Sequence, residues 1–275
     1  MTTTTPTSAP LAPASAGRVA QPRRRGISLT MLRIEGVRQL RNPYTLAFTL
    51  AMPVLMYVIF GASASYGTMS AGHGNVSFYV MVSMAAYGTA VAMSSLTSLA
   101  ATESKQGWGR QLAMTPLSTV GYAMTKLITA VTFASLALIV VFVAGMITGA
   151  QADDLWRWFA AAGIILGLGL MFGLFGLGVG LFFNADSAAA LASISMTFFA
   201  FFGNVFMPLD GIMLDVARFT PLYGFAALSR WPLTDGTLTT GQTDPLWMVL
   251  LNVAVWVTVF IVLVVAGVRR SRTRQ

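Results

Sequence analysis

Long runs of apolar residues separated by short polar gaps dominate the chain. Six such runs are present, covering residues 45–61, 76–100, 127–149, 156–183, 187–207 and 246–267. Apolar residues fill each run continuously and do not alternate with polar ones, which favours α-helices over the strands of a β-barrel. A helix of about 20 apolar residues spans a hydrocarbon core about 30 Å thick. The pattern therefore predicts an all-α membrane protein with six transmembrane helices.

The segment just before the first run, residues 27–42, predicts an additional helix. Ile27, Met31 and Ile34 recur at the i, i+4, i+7 spacing of one helical face. Pro43 ends the segment, because the proline ring disfavours the helical conformation of the residue before it. An apolar stripe on a basic segment is typical of a helix that lies in the membrane interface. A simple basic segment next to the membrane is the alternative.

The gap between the second and third runs is charged and is interrupted by glycine and proline. Thr102 is a candidate N-cap with Glu103 in the first turn of a short helix, and Pro116 stops that helix. Ser118 or Thr119 then caps the helix of the third run. We therefore expect a short cytoplasmic helix that projects from the bundle and joins two spans, so that a force on it moves both. A solvated hairpin loop is the alternative.

The long gap between the fifth and sixth runs, residues 208–245, mixes apolar and charged residues. Ile212, Val216 and Phe219 share one helical face, and Pro221 interrupts the pattern. We expect two short helices that dip into the outer interface as a re-entrant segment. Protein must surround them, because irregular backbone is not tolerated in contact with lipid. A plain surface loop is the alternative.

Composition and charge agree with the membrane assignment and orient it. The chain has 275 residues, of which 56% are hydrophobic and only 9% are charged, too few charges for a soluble domain. Of its 17 Lys and Arg residues, all but Arg157, Arg218 and Arg230 lie near the two termini or in the gap between the second and third runs. The positive-inside rule predicts that these segments face the cytoplasm. This distribution explains the net charge of +8 without nucleic acid as a partner.

Three regions follow from these patterns. Residues 1–26 are rich in Thr, Pro, Ala and Ser, end in a cluster of arginines and lack the apolar core of a secretory signal. They predict a disordered cytoplasmic tail. Residues 27–268 form the transmembrane domain, and residues 269–275 form a second basic cytoplasmic tail.

The sequence shows no chemistry that could drive transport by itself. It has no cysteine and one histidine, His73, for which a solvated loop position is the simplest interpretation. The apolar runs carry almost no ionisable residue near their centres, whereas ion-coupled carriers need carboxylates or histidines there. No metal-ligand cluster and no glycine-rich phosphate loop is evident. The energy for transport must therefore come from another polypeptide, and a non-transporting scaffold or sensor subunit is the alternative function.

Two runs carry residues that suit more than membrane anchoring. In the fifth run, side chains suited to a flexible apolar path for a lipophilic substrate are Phe198, Phe199, Phe202, Phe206 and Met207. Contact with lipid or packing between helices is the alternative for each. In the fourth run, glycines spaced four apart predict that another helix approaches closely. The close approach either leaves room for the helices to slide or is ordinary packing. The glycines are Gly163, Gly167, Gly169, Gly173, Gly176 and Gly180.

Three stretches of the sequence resemble the membrane subunits of type-2 ABC exporters, the permeases that pair with a separate ATP-binding subunit. They are residues 38–44 with 52–54 and 60–61, residues 103–118 with 126–127, and residues 203–209 with 220–224 and 228–230. The second stretch is similar to the family's coupling-helix motif, in which an acidic start and a glycine precede a basic residue with leucine and then Thr-Pro-Leu. The resemblance extends from residue 27 to the C-terminus.

The resemblance implies how such a protein works. Two permease chains, identical or paralogous, form a path across the bacterial plasma membrane. Two ATP-binding subunits beneath them bind ATP and Mg²⁺, so this chain needs no cofactor and hydrolyses nothing. The residues that match the coupling motif, and would contact the ATPase, are Glu103, Gly107, Arg110, Leu112, Thr115, Pro116 and Leu117. Members export drugs, antibiotics or lipid-like molecules, and others move polysaccharides or glycolipids, so we expect an exporter of a lipophilic compound.

Overall fold

The computed structural model describes residues 28–63, 65–103 and 118–272. Its helices are α1 (Leu29–Leu40), α2 (Pro43–Leu46), α3 (Met52–Tyr57), α4 (Val76–Glu103), α5 (Thr119–Thr148), α6 (Leu155–Phe182), α7 (Ala185–Phe202), α8 (Gly211–Ala217), α9 (Pro221–Thr234) and α10 (Leu246–Arg272). The π-helical stretches Ala47–Ala51 and Val58–Ala62 connect α2 to α3 and extend α3, giving one first helical segment. The described residues form no β-strand, which confirms the all-α prediction. The expected N-terminal tail and the segment between α4 and α5 lie outside these ranges.

Each of the six predicted apolar runs contains a helix, but the fifth is helical only through Phe202 and not to its predicted end at residue 207. By length and composition, α4, α5, α6 and α10 are long and apolar enough to cross a membrane. Two shorter apolar helices, Ala47–Ala62 and Ser187–Phe202, correspond to the first and fifth runs. The largest disagreement is at α5, which begins at Thr119, well before the predicted start at residue 127. α10 also continues past its predicted end, through Arg272.

α4 is the central helix of the bundle. Of the 18 residues in its most apolar window, 89% are buried, whereas 17% are buried in the corresponding window of α10. α4 packs against α5, α6 and α7. The contact with α6 is tight because a Cβ at Gly176 or Gly180 would overlap backbone carbonyl oxygens of α4. A Cβ at Gly163 or Gly167 would instead meet nothing within 4 Å. Glycines spaced four apart therefore coincide with close packing against α4 at Gly176 and Gly180 but not at Gly163 and Gly167.

The segment between α7 and α10 forms two helices, as predicted. The short helix α8 and the turn after it expose Ile212, Val216 and Phe219. Pro221 occupies the first position of α9, where its missing N–H would have no helical partner anyway. α9 packs against α4, α6 and α10, and its buried residues include Arg230. α9 is therefore part of the bundle interior and not a surface loop.

The predicted boundary after the second run was wrong. Thr102 does not cap a new helix, because α4 continues through it to Glu103 and the Thr102 hydroxyl donates to the Leu99 carbonyl oxygen at 2.8 Å. Both side chains are buried, and both have partners: Thr102 within α4, and Glu103 in ion pairs with Arg38 and Lys126. The Ser118 prediction is confirmed, since its hydroxyl accepts from the backbone N–H of Gly121 at 3.0 Å as the N-cap of α5.

α1 confirms the predicted helix before the first run, but the face that packs against the bundle is polar. Glu35 and Gln39 are buried, whereas Leu29 and Ile34 are exposed. Of the predicted apolar stripe, Ile34 points away from the bundle and Met31 is half-buried. Polar contacts therefore hold α1 to its neighbours, and they lie next to the end of α4.

Candidate functional site

Four charged side chains meet where α1 packs against the end of α4 and the beginning of α5. Glu103 lies between two cations, with Oε1 2.6 Å from Arg38 Nη2 and Oε2 2.6 Å from Lys126 Nζ. Glu35 contacts the same two cations, with Oε1 2.6 Å from Arg38 Nη2 and 2.9 Å from Lys126 Nζ. Two carboxylates and two cations thus form a closed ring, here named the charge cluster, in which the charges alternate and sum to zero.

Neutral polar side chains complete the hydrogen bonding of the charge cluster. The Tyr122 hydroxyl donates to Glu103 Oε2 at 2.8 Å, and Gln39 Nε2 donates to Glu35 Oε1 at 3.0 Å. Gln39 Oε1 in turn accepts from the Thr45 hydroxyl at 3.4 Å, which extends the network into the first helical segment. Each carboxylate therefore has three side-chain donors, as a buried ion requires.

The charge cluster is largely withdrawn from solvent. Glu35, Glu103 and Lys126 are buried, and only Arg38 reaches the surface. Burial lowers the pKa of the Arg38 guanidinium, but its hydrogen bond to Glu103 and the charge of Glu35 raise it by more, so Arg38 stays protonated. Taking an ion out of water costs several kcal/mol unless its partners offset that cost. Loss of any one member therefore leaves an uncompensated buried charge.

The geometry of the charge cluster ties three elements together at one end of the bundle. α4 and α5 are the two helices that the 104–117 segment connects, and α1 supplies two of the four charges. The ends of these helices cannot separate without breaking buried ion pairs. The ion pairs therefore hold α1, α4 and α5 together at this end of the bundle. The arrangement is suited to transmitting motion.

Of the seven residues predicted to contact a partner ATPase, only Glu103 is among the described residues. Its carboxylate is buried and pairs with Arg38 and Lys126, so it faces the interior of this chain. The other six lie outside the described residues: Gly107, Arg110, Leu112, Thr115, Pro116 and Leu117. The ATPase contact stays a prediction for this set.

A cavity of about 300 Å³ lies beside the charge cluster, between the first helical segment, α4 and α7. Gln39, which donates a hydrogen bond to Glu35 of the charge cluster, also lines this cavity. The lining is mostly apolar, with hydroxyl and amide groups at intervals, and consists of Gln39, Asn42, Thr45, Phe48, Thr49, Ser95, Leu96, Leu99, Ala189, Ala190, Ser193, Ile194 and Thr197. An apolar cavity with a few polar groups is typical of a small-molecule site.

The five residues predicted for a substrate path lie near the other end of α7 and do not line this cavity. Phe198, Phe202 and Met207 are exposed, so they are free to contact a lipophilic molecule. Phe199 is half-buried and Phe206 is buried, and both pack against other aromatic rings of the bundle. These last two fit the alternative interpretation, packing between helices.

His73 lies at the opposite end of α4 from the charge cluster. It is only half-exposed, and its Nε2 is 2.8 Å from Asp235 Oδ2, while its Nδ1 is 3.7 Å from Asp153 Oδ2. The expected solvated loop histidine is therefore a residue with two acidic neighbours. Within the described ranges no group of three or more His, Cys, Asp or Glu residues is placed to hold a metal ion.

The sequence patterns did not identify Glu35, Lys126 or Tyr122 as members of a site. Glu35 is the only acidic residue before the first apolar run, and Lys126 is an isolated charge at the start of the third. Isolated charges beside apolar segments are the signal that could have pointed to them, because a charge near the membrane needs a partner. The identity of that partner depends on how α1, α4 and α5 pack.

Comparison with curated proteins found no match. A model of the family described as ABC-2 type transporter matches residues 28–228. The matched region includes the charge cluster, the cavity beside it and α7, and it agrees with the resemblance drawn from the sequence. The chain therefore belongs to the ABC-2 type transporter family, whose membrane subunits generally work with an ATP-binding subunit.

Proposed function

We propose that the chain is the membrane-spanning subunit of an ATP-driven exporter and that a separate ATP-binding subunit moves it from the cytoplasmic side. The observation that carries this proposal is the charge cluster. Glu103 immediately precedes the 104–117 segment and Lys126 follows it in α5, so in this proposal a force on that segment reaches α1, α4 and α5 together. Membership of the ABC-2 type transporter family supplies the class of motor.

In this proposal the chain crosses the bacterial plasma membrane six times. α4, α5, α6 and α10 supply four crossings, and the first helical segment and α7 supply two shorter ones. The basic residues near both termini and in the 104–117 segment support a cytoplasmic position for these parts. α1 lies in the inner interface with Leu29, Ile34 and Val37 towards lipid, and α9 enters from the outer side as a re-entrant helix.

The ATP-binding subunit supplies the energy in this mechanism. ATP and Mg²⁺ bind to two copies of it, and the permease chain hydrolyses nothing. Closure of the two ATP-binding subunits pushes the 104–117 segments of two permease chains, which are identical or paralogous. The charge cluster passes the push to α1, and α4 carries it along the centre of the bundle.

The proposed substrate is a lipophilic molecule such as a drug, an antibiotic or a lipid-like compound. The cavity beside the charge cluster supports this class, because its mostly apolar lining with scattered polar groups suits an amphipathic molecule. The exposed Phe198, Phe202 and Met207 continue an apolar surface along α7 and beyond it. A polysaccharide would need a more polar path, whereas a glycolipid could use both kinds of surface.

A cross-linking experiment tests the motor assignment. The chain has no cysteine, so a cysteine at position 114 is its only thiol. We expect a tagged Met114→Cys chain, produced in its own cells, to co-purify with an ATP-binding subunit and to form a cross-link to it. Met213→Cys, on the exposed side of α8, is the matched control and should form none.

The cross-linking result and a separate transport measurement distinguish the alternative functions. If neither the purified nor the cross-linked material contains an ATP-binding protein, the proposal is wrong and a scaffold or sensor subunit is favoured. Transport that persists after ATP depletion would favour an ion-coupled carrier instead.

A further inference from the structure

Arg230 on α9 is a buried cation without a carboxylate in contact. Only 2% of Arg230 is exposed, and its guanidinium keeps its positive charge because arginine is not deprotonated in proteins. Nη1 donates to Ser83 Oγ at 3.2 Å and to the Asn204 carbonyl oxygen at 2.9 Å, and both acceptors are neutral. The guanidinium also lies 4.5 Å from the centroid of the Tyr79 ring. No carboxylate oxygen in the described part of the chain lies within 4.0 Å of its nitrogens.

Two buried donors beside a narrow cavity lack a hydrogen-bond partner among the described residues. They are Arg230 Nη2 and the hydroxyl of Tyr79, a residue that is 5% exposed. Buried donors are almost always satisfied, and an unpaired buried charge is more unfavourable still. Both residues line the same cavity of about 10 Å³, which has room for one ligand of about the size of a water molecule.

The cavity has one acidic neighbour, Asp244, whose two carboxylate oxygens already contact other residues. Its Oδ1 lies 2.8 Å from Arg218 Nη2, and the Tyr223 hydroxyl donates to its Oδ2. Arg218 also pairs with the exposed Asp215 at 2.8 Å. Of the charged residues that line this cavity in the described part of the chain, Arg230 is therefore the one with no oppositely charged group in contact.

We propose that Arg230 and Tyr79 form a binding site for a single chloride ion inside the bundle. The ion accepts hydrogen bonds from Arg230 Nη2 and from the Tyr79 hydroxyl, and its negative charge lies in contact with the guanidinium. A monatomic anion suits so small a cavity better than a carboxylate or phosphate group does. A bound chloride would hold α9 against α4, because Arg230 is on α9 and Tyr79 is on α4. The site does not depend on which substrate or motor the protein uses.

Radioactive chloride binding to the purified full chain tests this site. We expect wild-type protein to bind chloride saturably, one ion per chain, and to unfold about 2–4 °C higher in chloride than in gluconate at equal ionic strength. Arg230→Gln should lose both effects, because it removes the charge. Tyr79→Phe keeps the charge and the ring but removes one donor, so its affinity should fall several-fold. Arg33→Gln, on the exposed side of α1, should match the wild type.

Two results would overturn the proposal. Wild-type protein that binds no chloride and unfolds at the same temperature in both salts would show that water occupies the cavity. Equal chloride binding by Arg230→Gln would show that the ion lies elsewhere. If Arg230→Gln does not fold, Tyr79→Phe decides the matter, because unchanged affinity in that variant is incompatible with a hydroxyl donor at the ion.

Discussion

Lys126 shows how the role of a residue depends on neighbours that are distant in the sequence. In the sequence it is an isolated cation at the start of an apolar run. In the structure its Nζ lies 2.9 Å from Glu35 and 2.6 Å from Glu103. A buried amine is tolerated there because two carboxylates offset its loss of hydration. The sequence shows Glu103 and Lys126 beside apolar runs and Glu35 within the segment before the first run, but it does not reveal that they meet.

At this scale, the account predicts that Lys126→Gln destabilises the protein. The variant leaves Glu35 and Glu103 with only Arg38 to balance them, so we expect the free energy of unfolding to fall by about 3 kcal/mol. Unfolding of the purified chain in detergent measures the change. Arg33→Gln removes an exposed cation from α1 and should change stability by less than about 0.5 kcal/mol.

A double variant separates the loss of charge balance from a general packing defect. Glu103→Gln combined with Lys126→Gln removes one charge of each sign and leaves Glu35 paired with Arg38. Part of the lost stability should therefore return. A single Lys126→Gln variant as stable as the wild type would show that the charge cluster does not hold the three helices together.

At the scale of the helices, the apolar runs predicted which segments are helical but not where all of them end. The hydropathy pattern predicts that the second run ends at residue 100 and that the third begins at residue 127. In the structure α4 ends at Glu103 and α5 begins at Thr119. The polar residues at these ends are helical because tertiary contacts satisfy them. A sequence window contains no information about such contacts. For the same reason the deep burial of α9 could not be predicted.

The two ends of α6 should respond differently to alanine. Gly176→Ala or Gly180→Ala introduces a methyl group where backbone oxygens of α4 lie, so each should lower the free energy of unfolding by about 2–3 kcal/mol. Gly163→Ala and Gly167→Ala are the matched controls. Their new methyl groups meet open space, and alanine favours the helix by up to about 1 kcal/mol, so they should be neutral or slightly stabilising. Equal losses in both pairs would contradict the close approach of α4 and α6.

At the scale of the whole molecule, the sequence predicts the orientation in the membrane, and the structure shows how three helices are joined at one end of the bundle. The distribution of basic residues predicts which end faces the cytoplasm, and the resemblance predicts that a loop there meets an ATPase. The charge cluster adds a physical route from that loop to three helices. The substrate path could not be predicted to the same depth, because aromatic residues of one run separate in the structure. Phe198 is exposed, whereas Phe206 is buried.

The rate of ATP hydrolysis by the reconstituted complex tests the central claim most directly. In proteoliposomes that contain the chain and its ATP-binding subunit, we expect Arg110→Glu to lower the rate about tenfold, because it reverses a charge at the proposed contact. Arg269→Glu makes the same reversal at the exposed end of α10 and should leave the rate unchanged. A wild-type rate in correctly inserted Arg110→Glu protein would contradict the claim that the motor acts through the segment between α4 and α5.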